Sequence, residues 1–250
     1  NAIYNAWLKN GGTVFIPDGT YMINGRVTVQ IFSNVTLKLS DKAILKAIPT
    51  TYDWSIVVQI RNSHNVKLIG GSIVGERNGH LGTTGEQGHG IGIYGSNDVY
   101  IADINVSDCW GDGINIGGTL KQNYSEKVII ERATINNNRR LGIGVQSIKN
   151  LIIRDGVISN TQGTAPQAGI DFEPSNPTHF MENAVAENVQ TVNNAGCGIQ
   201  IYMAYGGSIN KADITIKNHT DTNSLKGAIN NYGKNNYYQW ISENCNINVI

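Results

Sequence analysis

The 250-residue chain lacks an excess of either charge, with 19 Lys and Arg against 19 Asp and Glu. Without a basic surplus there is nothing to draw it to phosphate backbones or anionic membranes, so nucleic acid is not an expected partner. Long apolar runs are missing too. None approaches the roughly 20 consecutive residues of a membrane-spanning helix, and a membrane is not expected either. No signal peptide is visible, but the opening "NAIYNAWLKN" lacks Met and the chain stops in the strand-like "NINVI", which reads as a fragment of a longer protein. Cysteine is scarce. Cys109, Cys197 and Cys245 lie far apart, with no CxxC and no His at ligand spacing. They are expected as small buried residues rather than as a disulfide framework or a metal site. Sequons such as Asn34-Val35-Thr36 occur but are too common to mark a glycoprotein.

What the chain does have is repetition. With 40% hydrophobic residues it can bury one sizeable core, and a single domain over 1–250 is expected. Two short patterns alternate along it. One is Gly-Ile-x-Ile or close to it, starting at Gly90, Gly113, Gly142, Gly169 and Gly198; the other is a polar residue followed by an alternating apolar run, as in "NVTLKL" from Asn34 and "NLIIRDGVI" from Asn150. Alternation over so few residues means strands with one buried face, not helices. Short strands at a step of about 25 residues, with Asn and Gly between them, fit an all-β solenoid in which each repeat is one coil. Asn136 to Asn138 and Asn193-Asn194 sit where the chain must turn, a place suited to residues that tolerate the left-handed region. "AIYNAWLKN" places Ala2, Ile3, Ala6 and Trp7 at helical spacing and reads as a short N-terminal capping helix. No equivalent is visible at the other end, so a further domain or a neighbouring chain is expected to cover it.

The stretch "NAIYNAWLKNGGTVFIPDGTYMI", Asn1 to Ile23, resembles the entry signature of the right-handed parallel β-helix proteins of the pectate-lyase-like superfamily. The coils from Asn34 to about Ile201 resemble the repeats that follow it. "HLGTTGEQGHGIGI" and "SDCWGDGINIG" look most like the bacterial and phage branch, the tailspike and appendage depolymerases. The resemblance implies a right-handed parallel β-helix, a polysaccharide substrate and an extracellular setting, secreted or virion-borne; likeness to phage spikes further suggests a homotrimer. "GHGIGIYGS" also resembles the Gly-His-Gly motif of polygalacturonases, and "GDGINI" vaguely their acidic motif, but their order is reversed here and the later basic motif is not found.

Strand geometry then places the candidate chemistry. In Gly-Ile-x-Ile the two apolar residues face inward, so the residue between them and the one after face outward. Successive coils should present Gly92 and Tyr94, Asn115 and Gly117, Gly144 and Gln146, Asp171 and Glu173, then Gln200 and Tyr202 on one continuous face. Asp171 and Glu173, roughly 6.5 to 7 Å apart along the strand, supply the two carboxyl groups that glycoside hydrolysis commonly requires, and like charges so close should raise one pKa. Asp112, two coils earlier, is a third candidate acid, although a Gly-Asp-Gly corner also reads as a turn. The enlarged connection from Val74 to His89 brings Glu76, Arg77, His80, Glu86 and His89, and a second runs from Ser159 to Ala168; long loops gathered on one face are usually functional. Arg139 and Arg140 are candidates to bind an acidic sugar. His80 and His89 read as either substrate contacts or loop anchors, and Tyr94 and Tyr202 as either sugar platforms or surface packing. A hydrolase acting through Asp171, Glu173 or Asp112 needs no cofactor. The rivals are a lyase, in which a basic residue abstracts a proton and Ca²⁺ is held by the acids, and a glycan-binding adhesin or shaft that cleaves nothing.

Overall fold

The computed structural model describes residues 1–203, 212–231 and 245–249, the last as backbone only. Asn1 caps the helix Ala2–Leu8 by accepting a hydrogen bond from the Ile3 amide. Ile3 is buried against the end of the β-structure and Ala6 packs beside it. The helix turns less of itself inward than its spacing predicts: Ala2 is exposed, and Trp7 rests on Phe32 at 5.3 Å between ring centroids while staying 39% exposed.

Every other described element is a strand, and all the strand pairings are parallel. They stack into three sheets. The first holds nine strands, from Gly12–Ile16 to Cys245–Val249; the second holds eight, from Gly19–Ile23 to Thr220–Thr222; the third holds eight, from Val29–Ile31 to Ile229–Asn231. Each coil gives one strand to each sheet and pairs with the coils before and after it. This is the solenoid that the repeats imply.

Inside the coils, identical positions stack into ladders. Ile91, Ile114, Ile143, Ile170 and Ile199 form one row, and Ile93, Ile116, Val145, Phe172 and Ile201 the next; none is more than 1% exposed. Cys109 and Cys197 are buried and free, whereas the Cys245 side chain lies outside the described residues. At the corners, Asn34, Asn65, Asn150 and Asn183 take positive φ, and Asn65 and Asn183 donate their side-chain amides to Asn34 and Asn150 of the coil before. Asparagine serves there because it enters the left-handed region at low cost and its amide links one coil to the next.

The glycine of Gly-Ile-x-Ile has a steric cause. A β-carbon on Gly90, Gly113, Gly142 or Gly169 would lie 2.4–2.7 Å from the carbonyl oxygen of the corresponding glycine one coil on. No other residue lets the coils approach that closely. At Gly142 the added carbon would also meet Ile158 Cγ2 at 2.2 Å. Gly142→Ala is therefore expected to lower stability by about 2 kcal/mol or more, the range for forcing a methyl into a filled core, measured by chemical denaturation; a loss no larger than that of an exposed substitution would contradict the stacking.

Candidate active site

One face of the third sheet points away from the aliphatic core, and its register fixes which side chains meet there. Gln59, Gly92, Asn115, Gly144, Asp171 and Gln200 form one outward row, strand against strand. Arg61, Tyr94 and Gly117 begin a second. Gln146, Glu173 and Tyr202 extend it, each amide donating to a carbonyl of the preceding coil's strand. The outward pairs read from the sequence thus lie on one face. Glycines lower its floor: a β-carbon on Gly144 would come within 2.9 Å of Asp112 Oδ2, and one on Gly117 within 2.8 Å of Gln146 Oε1. Asp112 Oδ2 therefore lies over Gly144, one coil on from its own. Asn115, Arg140, Gln146, Asp171, Glu173 and Ser175 help line a cavity of about 210 Å³.

Arg140 is the hub of this cavity. Its Nη1 reaches both oxygens of fully buried Asp112, at 3.2 and 3.3 Å, and its Nη2 lies 3.7 Å from Glu173 Oε2. Its Nε lies 3.4 Å from Glu86 Oε2, an ion pair that lacks hydrogen-bond geometry. Burial works against the guanidinium charge, yet Asp112, with help from Asp171 and Glu86, holds its pKa above the ordinary value. Asn115 completes the Asp112 shell. Its Nδ2 donates to Oδ2 at 2.8 Å while its Oδ1 accepts from the Tyr94 hydroxyl at 3.0 Å. The Tyr94 ring covers Gly92, and burial pushes its pKa up.

His89 is buried beside these groups. Its Nδ1 accepts from the Asp112 amide at 3.1 Å, so the proton sits on Nε2 and goes to Gln87 Oε1 at 3.0 Å. Burial lowers its pKa, with Asp112 opposing and Arg140 assisting. It is a neutral brace with both nitrogens in use.

Asp171 is the unusual group. It is fully buried, and Gln200 donates to its Oδ1 at 3.2 Å while its Oδ2 has no hydrogen-bond partner among the described residues. Burial first, and then the negative charge of Glu173, raise its pKa well above the carboxylate range against the pull of Arg140. Glu173, two residues on, keeps 27% of its side chain exposed. The site therefore pairs a buried carboxyl whose pKa is raised with a second carboxyl that reaches solvent.

Two candidates are spent elsewhere. The His80 side chain is wholly buried; it bonds Glu76 at 3.2 Å and stacks on Trp110 at 4.0 Å between centroids. Glu76 also receives the Thr50 amide and hydroxyl. Arg139 lies over the same indole, 3.8 Å from the Trp110 centroid, and donates to the Gly85 carbonyl. His80 and Arg139 thus fasten residues 75–86 to the coils and do not contact the acids of the cavity. Glu86, at the end of that loop, does reach the cavity, as its pairing with Arg140 shows. Gln87, which accepts the His89 Nε2 proton, and Ser175, on the loop after Glu173, are not singled out by the sequence; their only signal is proximity in the chain to His89 and Glu173.

Two outcomes are expected. Arg140→Met, by leaving buried Asp112 without its cation, should cost about 3 kcal/mol, and adding Asp112→Asn should restore most of it in chemical denaturation; additive losses would contradict the pairing. Because the Asp171 pKa is raised in the native state, its stabilising contribution is full below about pH 4 and falls as pH climbs from there through the raised value. Asp171→Asn removes that decline, so its melting temperature should gain on the wild type as pH rises. A constant gap between the two curves would contradict it.

Comparison with known proteins identifies the fold. Residues 33–220 match the family described as "Right handed beta helix region". The uncharacterized protein YclG of Bacillus subtilis (strain 168) is 29% identical over 253 residues, covering 88% of this chain and 43% of its own length. The tailspike protein gp49 of Acinetobacter baumannii bacteriophage Fri1, a capsular polysaccharide depolymerase, superposes with a TM-score of 0.64 at 14% identity, over 91% of this chain and 45% of that one. A 1,3-α-1,4-β-D-galactose-4-sulfate-3,6-anhydro-D-galactose-2-sulfate 4 galactohydrolase gives a TM-score of 0.70 at 18% identity, over 92% and 54%. The chain thus spans less than half of YclG and of gp49. With three-quarters of its length inside the family match and the coils stacked as that family requires, the chain belongs to the right-handed β-helix proteins.

Proposed function

We propose that the protein is a polysaccharide-degrading glycoside hydrolase, acting outside the cell or on a virion, with its catalytic groups on the outer face of the third sheet. The observation that carries this reading is the unequal pair, Asp171, fully buried with its pKa raised, beside part-exposed Glu173 in one cavity. Asp171 donates its proton to the departing glycosidic oxygen. Glu173 attacks the anomeric carbon, or draws the proton from a water that does so. Arg140 holds the Glu173 carboxylate in place and keeps buried Asp112 paired, which makes Asp112 a positioning residue and not a third acid. Gln200 orients Asp171, and Gln146 and Asn115 border the cavity where sugar hydroxyls would lie.

The same geometry supports hydrolysis over elimination. A lyase needs a base beside the uronate; Arg140, the basic group lining this cavity, is held above its ordinary pKa, and His89, in the neighbouring hollow, has both nitrogens engaged. The similarity to gp49 and to the galactohydrolase, proteins named for acting on polysaccharides, agrees with this reading, although identities of 14% and 18% establish shared fold and not shared chemistry.

The test is product analysis after incubation with bacterial capsules, teichoic acids and pectins. New reducing ends without ultraviolet absorbance are expected; unsaturated, absorbing products would overturn hydrolysis, and unchanged chain length would leave only binding. Asp171→Asn and Glu173→Gln should each lower the rate by about 100-fold or more while binding persists, and full activity in both would move the site elsewhere.

A further inference from the structure

The outward face does not end at the acids. Three strands toward the N-terminus from the Ile170–Phe172 strand, at Gln87–Tyr94, the cavity gives way to a second hollow, about 580 Å³, whose lining includes Trp54, Gln59, Arg61, Gln87 and Tyr94. Gln87 lines both, so the two form one groove. The rows are shared as well. Gln59 stands in the row of Asp171 and Arg61 in the row of Glu173, four strand spacings away or about 19 Å.

The two ends of the groove differ in charge. Around the acids, four carboxyl groups surround the single guanidinium of Arg140. Among the described residues, no Asp or Glu lines the second hollow. Arg61 is exposed there, its guanidinium 5.7 Å from the Tyr94 ring centroid, and among the described residues no carboxylate pairs with it. Arg26 lies beside the hollow, over Trp54 at 4.0 Å and Tyr52 at 4.7 Å, likewise with no carboxylate among the described residues. A guanidinium held on an aromatic face, with its planar fork unused, suits bidentate binding of a carboxylate or sulfate. Trp54, 46% exposed, and Gln59 offer the apolar surface and the hydrogen-bonding group that a sugar ring needs. The acid cavity would repel an anion; this hollow would attract one.

We propose that Trp54, Gln59, Arg61 and Tyr94 form a subsite for an anionic sugar residue, one bearing a carboxylate or a sulfate, about 19 Å along the groove from the acid pair. The inference rests on the reading of this face as a polysaccharide groove, and it fixes both the substrate class and the direction in which the chain lies. The charged residue anchors at Arg61, and the bond to be broken lies at Asp171 and Glu173.

Binding separates this claim from cleavage. The Glu173→Gln variant is applied to an array of uronate-bearing, sulfated and neutral polysaccharides, together with carboxyl-reduced and desulfated forms of the anionic ones. Retention of at least one anionic glycan is expected, with a loss of about 10-fold or more when its charge is removed chemically. The same loss is expected from Arg61→Gln in the Glu173→Gln background, after which the charged and uncharged forms bind alike; the form that matters, reduced or desulfated, tells carboxylate from sulfate. Trp54→Ala should weaken both forms equally. Retention of neutral glycans only, retention of none, or undiminished charge discrimination without Arg61 would each overturn the subsite. If charge-selective binding at Arg61 holds while the wild type cleaves nothing, the subsite stands and the hydrolase reading falls.

Discussion

Everything in this protein depends on how closely one coil can lie on the next. Parallel strands stack at about 4.8 Å, and at the entry to the third sheet that spacing leaves no room for a side chain: a β-carbon on Gly90, Gly113, Gly142 or Gly169 would strike the carbonyl oxygen of the glycine one coil on. That close stacking holds the Ile rows in register and buries them. It also decides the outside: once the inner residues are locked, the alternate positions have no freedom in where they project. Asp171 and Glu173 face outward together because Ile170 and Phe172 face inward together. A site built this way inherits the rigidity of the core beneath it.

Rigidity lets the structure hold a strained set of charges. Desolvating Asp171 beside Glu173 is costly for the charged form, and no second cation offsets that cost among the described residues, so its pKa is raised. The cation at hand, Arg140, is divided among Asp112, Glu173 and Glu86. Asp112 takes the closest share because it is more deeply buried than either glutamate and accepts from Asn115 as well. The outcome is an asymmetry between two carboxyl groups two residues apart, created by burial and by the placement of a single guanidinium. The loop that walls the cavity is held by other means, with Trp110 between His80 and Arg139 and with Glu76 taking the donors of Thr50.

Much of this is legible in the sequence, and what is not has identifiable causes. Period-two alternation and recurrent glycine mark the coils, and counting outward from Ile170 puts Asp171, Asn115, Gln146 and Gln200 on a common face from the alternation alone. Burial is not legible. Nothing in "GDGINI" says that Asp112 is closed off and neutralised, because the group that does so, Arg140, enters from a corner 28 residues on. His80 and Arg139 read as polar loop residues available to a ligand; their stacking on Trp110 depends on where a twelve-residue connection folds back, at 75–86. Arg61 and Gln59 give no such signal because their strand reads Val57-Val58-Gln59-Ile60 and carries no glycine to flag it, although it occupies the same outward positions one coil earlier than Gly92 and Tyr94.

A crystal structure of the Glu173→Gln variant soaked with an oligosaccharide of the polymer it retains would show where on the coils the sugar chain is bound. The sugar chain is expected to run along the third sheet, with a glycosidic oxygen within hydrogen-bond reach of Asp171 and a negatively charged substituent at Arg61. An oligosaccharide seated on the first or second sheet, or lying across the coils without approaching Asp171, would contradict that placement.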